Sequence, residues 1–137
     1  MSMQDSVADM FTRIRNAQQR MKAVVSCYKT KHKVSILDVL KREGFIQGYD
    51  FEDIEGIQNI KIFLKYHMGR PVINKIDRIS KSSLPVYVSF DAMEPVCNGL
   101  GIRIVSTSRG VFSDRELRDR YGKENEKLGG EVLGEVL

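Results

Sequence analysis

Gly99-Leu100-Gly101-Ile102-Arg103-Ile104-Val105-Ser106-Thr107-Ser108-Arg109-Gly110-Val111 sets an alternating apolar run against three small hydroxyl residues and a cation. The period of two predicts a strand: Ile102 and Ile104 face one side with Ser106 continuing their row, and Arg103 and Val105 face the other. The strand ends among Ser106, Thr107 and Ser108, and Gly110 lets the chain turn back without a Cβ penalty. Short hydroxyls donate and accept at close range. A phosphate, a ribose 2′-OH or a base edge can therefore approach the main chain here, with Arg109 supplying charge. The plainer reading is a hairpin whose Ser and Thr side chains cap their own turn. Spacing alone leaves both open.

Working outward, strands are expected at 73–79, 86–89, 102–106 and 131–136 and a helix at 113–121, with Pro85 and Pro95 in loops. Towards the N-terminus, Val7, Met10, Phe11, Ile14 and Ala17 recur at helical spacing over residues 5–20, with Asp5 or Ser6 placed to cap. The opposite face carries Thr12, Arg13, Arg15, Asn16 and Arg20. A short strand follows at 23–28, then a helix at 31–43 that buries Val34, Leu37 and Leu40 and stops at Gly44. Residues 45–51 and 60–66 read as an antiparallel pair around an acidic turn through Gly56. His67 to Pro71, with Gly69, is the expected linker. The result is an α+β fold: an α-β-α-β-β lobe over 1–68 and a β-rich lobe with one short helix over 69–137. Residues 120–127 read as an exposed insertion.

The net charge of +4 is modest, so its distribution matters more than its sum. Residues 1–42 hold nine Lys/Arg against three acids, and residues 61–81 hold six against one. Between them, 43–60 carry five acids and no cation. Two separated basic blocks suit a polyanion footprint, and solvated helix and strand faces are the plainer alternative. In the first block, Lys29, Thr30, Lys31 and Lys33 lie just before or at the start of the second helix, where charge and helix N-terminal amides can meet phosphates together.

Other chemistries lack their residues. Cys27 and Cys97 have no metal-ligand spacing, His32 and His67 do not complete a site, and no cofactor is expected. Two thiols without an evident partner suit a reducing compartment. No apolar run approaches the roughly 18 residues of a membrane span. Asp5 and Asp9 argue against a signal or transit peptide, which predicts a chain made where it works or a presequence outside this numbering. An enzyme using the 106–110 loop as a phosphate site is the reading from a different class. It lacks a Gly-rich loop followed by Lys-Ser/Thr and a persuasive acid–base pair, and no small-molecule substrate is expected.

MQDSVADMFTRIRNA at 3–17, VLKREGFI at 39–46, GLGIRIVSTSRGV at 99–111, and SDRE at 113–116 followed by GGEVL at 129–133 resemble the family of small-subunit ribosomal protein number eight, of the bacterial type. The blocks stand in the family's order and cover nearly the whole chain. The resemblance implies a predominantly β C-terminal lobe and a primary binder of the central domain of small-subunit rRNA, set among neighbouring small-subunit ribosomal proteins. Repression of its own messenger is the alternative role. The resemblance, taken together with the two basic blocks and the hydroxyl run, gives expected RNA contacts at Thr12, Arg13, Asn16, Lys29, Thr30, Lys31, Lys33, Arg78, Lys81, Tyr87, Ser106, Thr107, Ser108 and Arg109; Lys29 departs from the family's pattern and rests on the basic loop alone. Where the family carries Ser-Arg-Pro-Gly-Leu-Arg, this chain has Ser80-Lys81-Ser82-Ser83-Leu84-Pro85, with a turn proline, a glycine and a cation lost. Such relaxed matches at the basic loops favour a mitochondrial ribosome over a bacterial one.

Overall fold

The structure, a computed structural model, describes residues 5–81, 83–89, 93–121 and 129–137. The chain forms two compact units: Ser6–Asn74 makes the first, and Asp5 joins Lys75–Leu137 in the second.

In the first unit, α1 (Ser6–Gln19) buries Val7, Met10, Phe11, Ile14 and Ala17, the stripe its 3.6-residue period sets out. It leads through β1 (Val24–Tyr28) to α2 (Lys31–Arg42). Thr30 caps α2 from an extended backbone and its side chain accepts from Lys33 N at 3.2 Å. The buried face of α2 runs through Lys33, Ile36, Leu37 and Leu40, an i, i+3, i+4, i+7 series. Val34, expected in the core, therefore sits at the margin and is half-buried. Gly44 closes the helix at φ +80°, and Phe45 N bonds back to Leu40 O at 2.9 Å.

Strands β2 (Ile46–Ile54) and β3 (Ile57–Leu64) pair further than the sequence suggests. Glu55 and Gly56 both hold positive φ, which makes the two-residue turn whose twist suits a hairpin, so pairing continues to Ile54 and Ile57. The antiparallel order is β1-β3-β2, and Ile60, Ile62 and Leu64 of β3 are buried. The expected linker is instead a second hairpin within this unit. Here β4 (Tyr66–His67) pairs with β5 (Arg70–Pro71) around Met68 and Gly69, again both at positive φ.

In the second unit β10 (Gly129–Val136) is the central strand. It pairs antiparallel with β6 (Ile76–Arg78), β7 (Tyr87–Ser89) and β8 (Ile102–Thr107). β9 (Gly110–Ser113) pairs with β8 as the turn at Gly110 requires. Of the strand expected at 73–79, Ile76–Arg78 forms β6, and backbone bonds from Lys75 to Leu137 and from Ile79 to Leu133 flank it. A short 3-10 turn at Val96–Gly99 precedes β8, with Cys97 and Asn98 at positive φ.

Helix α3 (Asp114–Tyr121) begins with a reciprocal cap: Glu116 N donates to Ser113 Oγ and Ser113 N donates to Glu116 Oε1, both at 3.1 Å. Asp114 is fully buried and fully used, accepting from Arg103 N at 3.0 Å and Arg118 Nη2 at 2.7 Å. Arg115 reaches the carbonyls of Gly99 and Gly101. The core gathers Ile76, Ile102, Ile104, Leu133 and Val136. Val105, expected on the outer face with Arg103, is also buried, because Met93 and Leu117 of α3 cover it. Arg103 pairs with Glu135 across the strands at 3.0 Å. The expected insertion at 120–127 lies largely outside the described residues.

Candidate nucleic-acid interface

Each unit presents its own surface. On the first, the polar side of α1 and the edge strand β1 enclose a shallow groove of about 350 Å³ lined by Arg13, Asn16, Arg20, Lys22, Val24 and Ser26, among others. Arg13 is fixed there, with Nε donating to Asp9 Oδ2 at 2.8 Å and Nη1 to Ser26 O at 3.4 Å. The bond to Asp9 raises its pKa above the ordinary arginine value. Thr12, the residue before Arg13, is exposed, with Oγ1 donating to Ala8 O at 3.0 Å, and does not line the groove.

Arg20 and Lys22 complete the groove and have no ion-pair partner among the described residues. Sequence reasoning placed Arg20 on the polar stripe but not among the contacts, and missed Lys22. The residue between them, Met21, takes φ +54° and returns the chain towards the helix it has just left. That bend has no periodic signature.

The basic loop before α2 is divided by the fold. Lys31 is exposed at the first helical position. Lys29 Nζ donates to Gln58 Oε1 at 3.1 Å and lies 4.3 Å over the Phe51 ring, so its charge rests on the sheet. Thr30 spends its hydroxyl on the helix cap. Lys33 is a correction: it is 1% exposed, and its ammonium donates to Tyr28 O at 3.0 Å. In this geometry it holds the loop and is not available to a phosphate. At 100° per residue, Lys31 and Lys33 cannot share a helix face.

On the second unit, register builds the site. Glu131 of β10 stands opposite both Tyr87 of β7 and Ser106 of β8, so the three side chains form one cross-strand row. Around it a pocket of about 480 Å³ is lined by Tyr87, Ser89, Ser106, Thr107, Ser108 and Glu131 over a floor of Gly129 and Gly130. A Cβ on Gly130 would lie 2.4 Å from Ser106 O and 2.8 Å from Val105 Cγ1. The glycine lets β10 approach β8 and keeps the floor open.

The fold divides the hydroxyl run. Thr107 caps its own turn: Oγ1 donates to Gly110 O at 2.9 Å and accepts from Arg109 N at 3.1 Å. The hydroxyls of Ser106 and Ser108 have no partner among the described residues, and Tyr87 beside them is 72% exposed. Arg109 is exposed at the turn. Glu131 was missed, because only the register places it between Tyr87 and Ser106.

Arg78 and Lys81 do not line this pocket. Arg78 is a second correction: its side chain is 14% exposed, Nε donates to both Asp5 oxygens at 3.2 and 3.3 Å, and Nη1 donates to Leu133 O at 2.6 Å. It latches β6 to β10. Lys81 is exposed on a turn closed by reciprocal backbone bonds with Leu84. Buried Ser80 braces that turn by accepting from Val86 N at 3.0 Å.

Among the described residues no cluster of His, Cys, Asp or Glu is placed to hold a metal, and no helix is long and apolar enough to cross a membrane. The fold and surfaces define a class: a small, mildly basic α+β protein whose exposed chemistry is cationic on one unit and hydroxyl-bearing on the other. Residues 5–137 match the family described as ribosomal protein S8. The chain is 49% identical over 133 residues to small ribosomal subunit protein uS8 of Dechloromonas aromatica, covering 97% of each. It is 45% identical over 138 residues to that of Rhodospirillum centenum, covering all of each, and 48% identical over 133 residues to that of Bordetella pertussis, covering 97% of each. The chain belongs to the ribosomal protein S8 family.

Proposed function

We propose that the chain binds the central domain of small-subunit rRNA, positioning it with the first unit and reading its shape with the second. As a member of its family the protein is a structural, non-enzymatic component of the small ribosomal subunit. Its partners are small-subunit rRNA and neighbouring ribosomal proteins. We assign it to a ribosome of bacterial type, since the relatives named above are bacterial and give the mitochondrial expectation no support.

The observation that carries the reading is the Tyr87–Glu131–Ser106 row with the unpartnered hydroxyls of Ser106 and Ser108 beside it. A carboxylate in that row accepts from a ribose 2′-OH or a base amino group and repels phosphate, so the pocket suits sugar and base edges in a widened or bulged helix. The same carboxylate disfavours the loop as a phosphate site of an enzyme. Arg13, Arg20, Lys22 and Lys31 supply phosphate contacts, which fix register without reading sequence. The test is affinity of the folded chain for a central-domain rRNA fragment and for random duplex RNA across a salt series. The fragment is expected to bind more tightly at every salt concentration, with both weakening steeply as salt rises. Equal affinities throughout contradict the proposal.

A further inference from the structure

The β4–β5 hairpin contributes little to the core, yet its shape is closely fixed. Tyr66 OH donates to Lys22 O at 2.5 Å, Val72 N donates to Lys65 O at 3.0 Å, and His67 pairs with Arg70 across the turn. At its tip Met68 is 89% exposed at φ +51°, a backbone region where Gly, Asn or Asp would be less strained. Lys65, His67, Arg70 and Asn74 line a pocket of about 480 Å³ floored by Pro71 and Val72.

Several cations elsewhere in the chain are neutralised. Arg13, Lys61, Lys75, Arg78, Arg103 and Arg118 each have a carboxylate partner. Lys65 and Arg70 have none among the described residues, and no acid occurs between residues 56 and 76. A rigid, exposed hairpin with two unpaired cations, an imidazole and an amide around one concavity is built for an anion with several acceptor oxygens.

We infer that this pocket is a second RNA-backbone site, taking a phosphodiester between Lys65 and Arg70 while Met68 lies against the adjoining ribose. The inference rests on the RNA-binding reading but uses a surface that reading does not. Guanidinium and ammonium together match a phosphate's oxygens, and Asn74 adds a neutral donor.

The test replaces Lys65→Gln and Arg70→Gln together, which keeps the side-chain stems and removes both charges. Binding to full-length small-subunit rRNA is measured from low to high salt, with circular dichroism confirming the fold. The expected result is roughly tenfold or weaker binding at low salt. The slope of log affinity against log salt should fall by about one to two. The ratio of affinities for central-domain fragment and random duplex stays as in the wild type. An unchanged slope in a folded variant overturns the second site and leaves the Ser106–Ser108 reading intact. A wild-type ratio of one refutes shape reading at that loop, and the slope still decides the hairpin.

Discussion

Lys33 shows how a residue's role is set by the backbone beneath it. In sequence it is the third cation of an alternating series with Lys29 and Lys31. The helix starting at Lys31 ends the alternation and turns Lys33 inwards against Tyr28 O. Lys33→Ala is therefore expected to lower stability by roughly 1.5–3 kcal/mol, the scale of a hydrogen bond to a charged group, while leaving the salt slope of RNA binding as it was. Lys31→Ala should do the reverse: an unaltered melting temperature and a slope smaller by about one. Thermal melts and salt titrations of the two variants check both. Tyr49 gives a pH prediction. Its hydroxyl donates to Asp38 Oδ1 at 2.6 Å, and that bond, with burial and the nearby charge, pushes its pKa up from 10 to about 12. A raised pKa favours the protonated phenol in the fold. Its stabilisation is whole below pH 10 and is lost as pH rises through about 12. Alkaline unfolding between those values should be shallower in Tyr49→Phe than in the wild type; parallel curves would contradict the assignment. Cysteine burial was less legible from sequence. Burial raises the Cys27 thiol above its ordinary pKa while Cys97 is exposed, so a disulfide reagent should label Cys97 in the native protein and reach Cys27 only on unfolding.

At the scale of elements, legibility followed locality. Helix α1 could be read from its apolar period, and α2 from its period and the glycine that ends it, because these signals are local in the chain. The block SDRE was recognisable as a motif, and the structure gives its chemistry: Ser113 and Glu116 cap α3 reciprocally, while Asp114 ties the helix to β8. Ser113→Ala is expected to cost about 0.5–2 kcal/mol, read as a lower urea midpoint at unchanged slope. What the sequence did not disclose depends on distant partners. Val105 is buried because α3 covers it, Arg78 is consumed by Asp5, and β10 is central because β6, β7 and β8 all choose it. The supposed linker failed for another reason. Gly69 and Pro71 mark a turn, and a two-residue turn with positive φ makes a hairpin as readily as a break.

For the whole molecule, the decisive property is where unpaired charge and unpartnered hydroxyls lie on each unit. The basic blocks were visible in sequence, but not which cations ion pairs neutralise. The fold turns Arg78 and Lys33 to internal partners, and it sets Arg20 and Lys22 along the groove and Glu131 in the pocket. The hydroxyl pocket was half legible: the run Ser106 to Ser108 and Tyr87 could be named, while Glu131 between them needed the register. The central claim is that Ser106 and Ser108 read RNA shape. Its most direct test is Ser106→Ala with Ser108→Ala, measured as the ratio of affinities for central-domain rRNA and plain duplex at one fixed salt concentration. The ratio is expected to fall by roughly tenfold or more, from lost hydrogen bonds of about 1–3 kcal/mol each, with melting temperature nearly unchanged. An unaltered ratio in the folded double variant would contradict it and leave the loop as a turn that serves only itself.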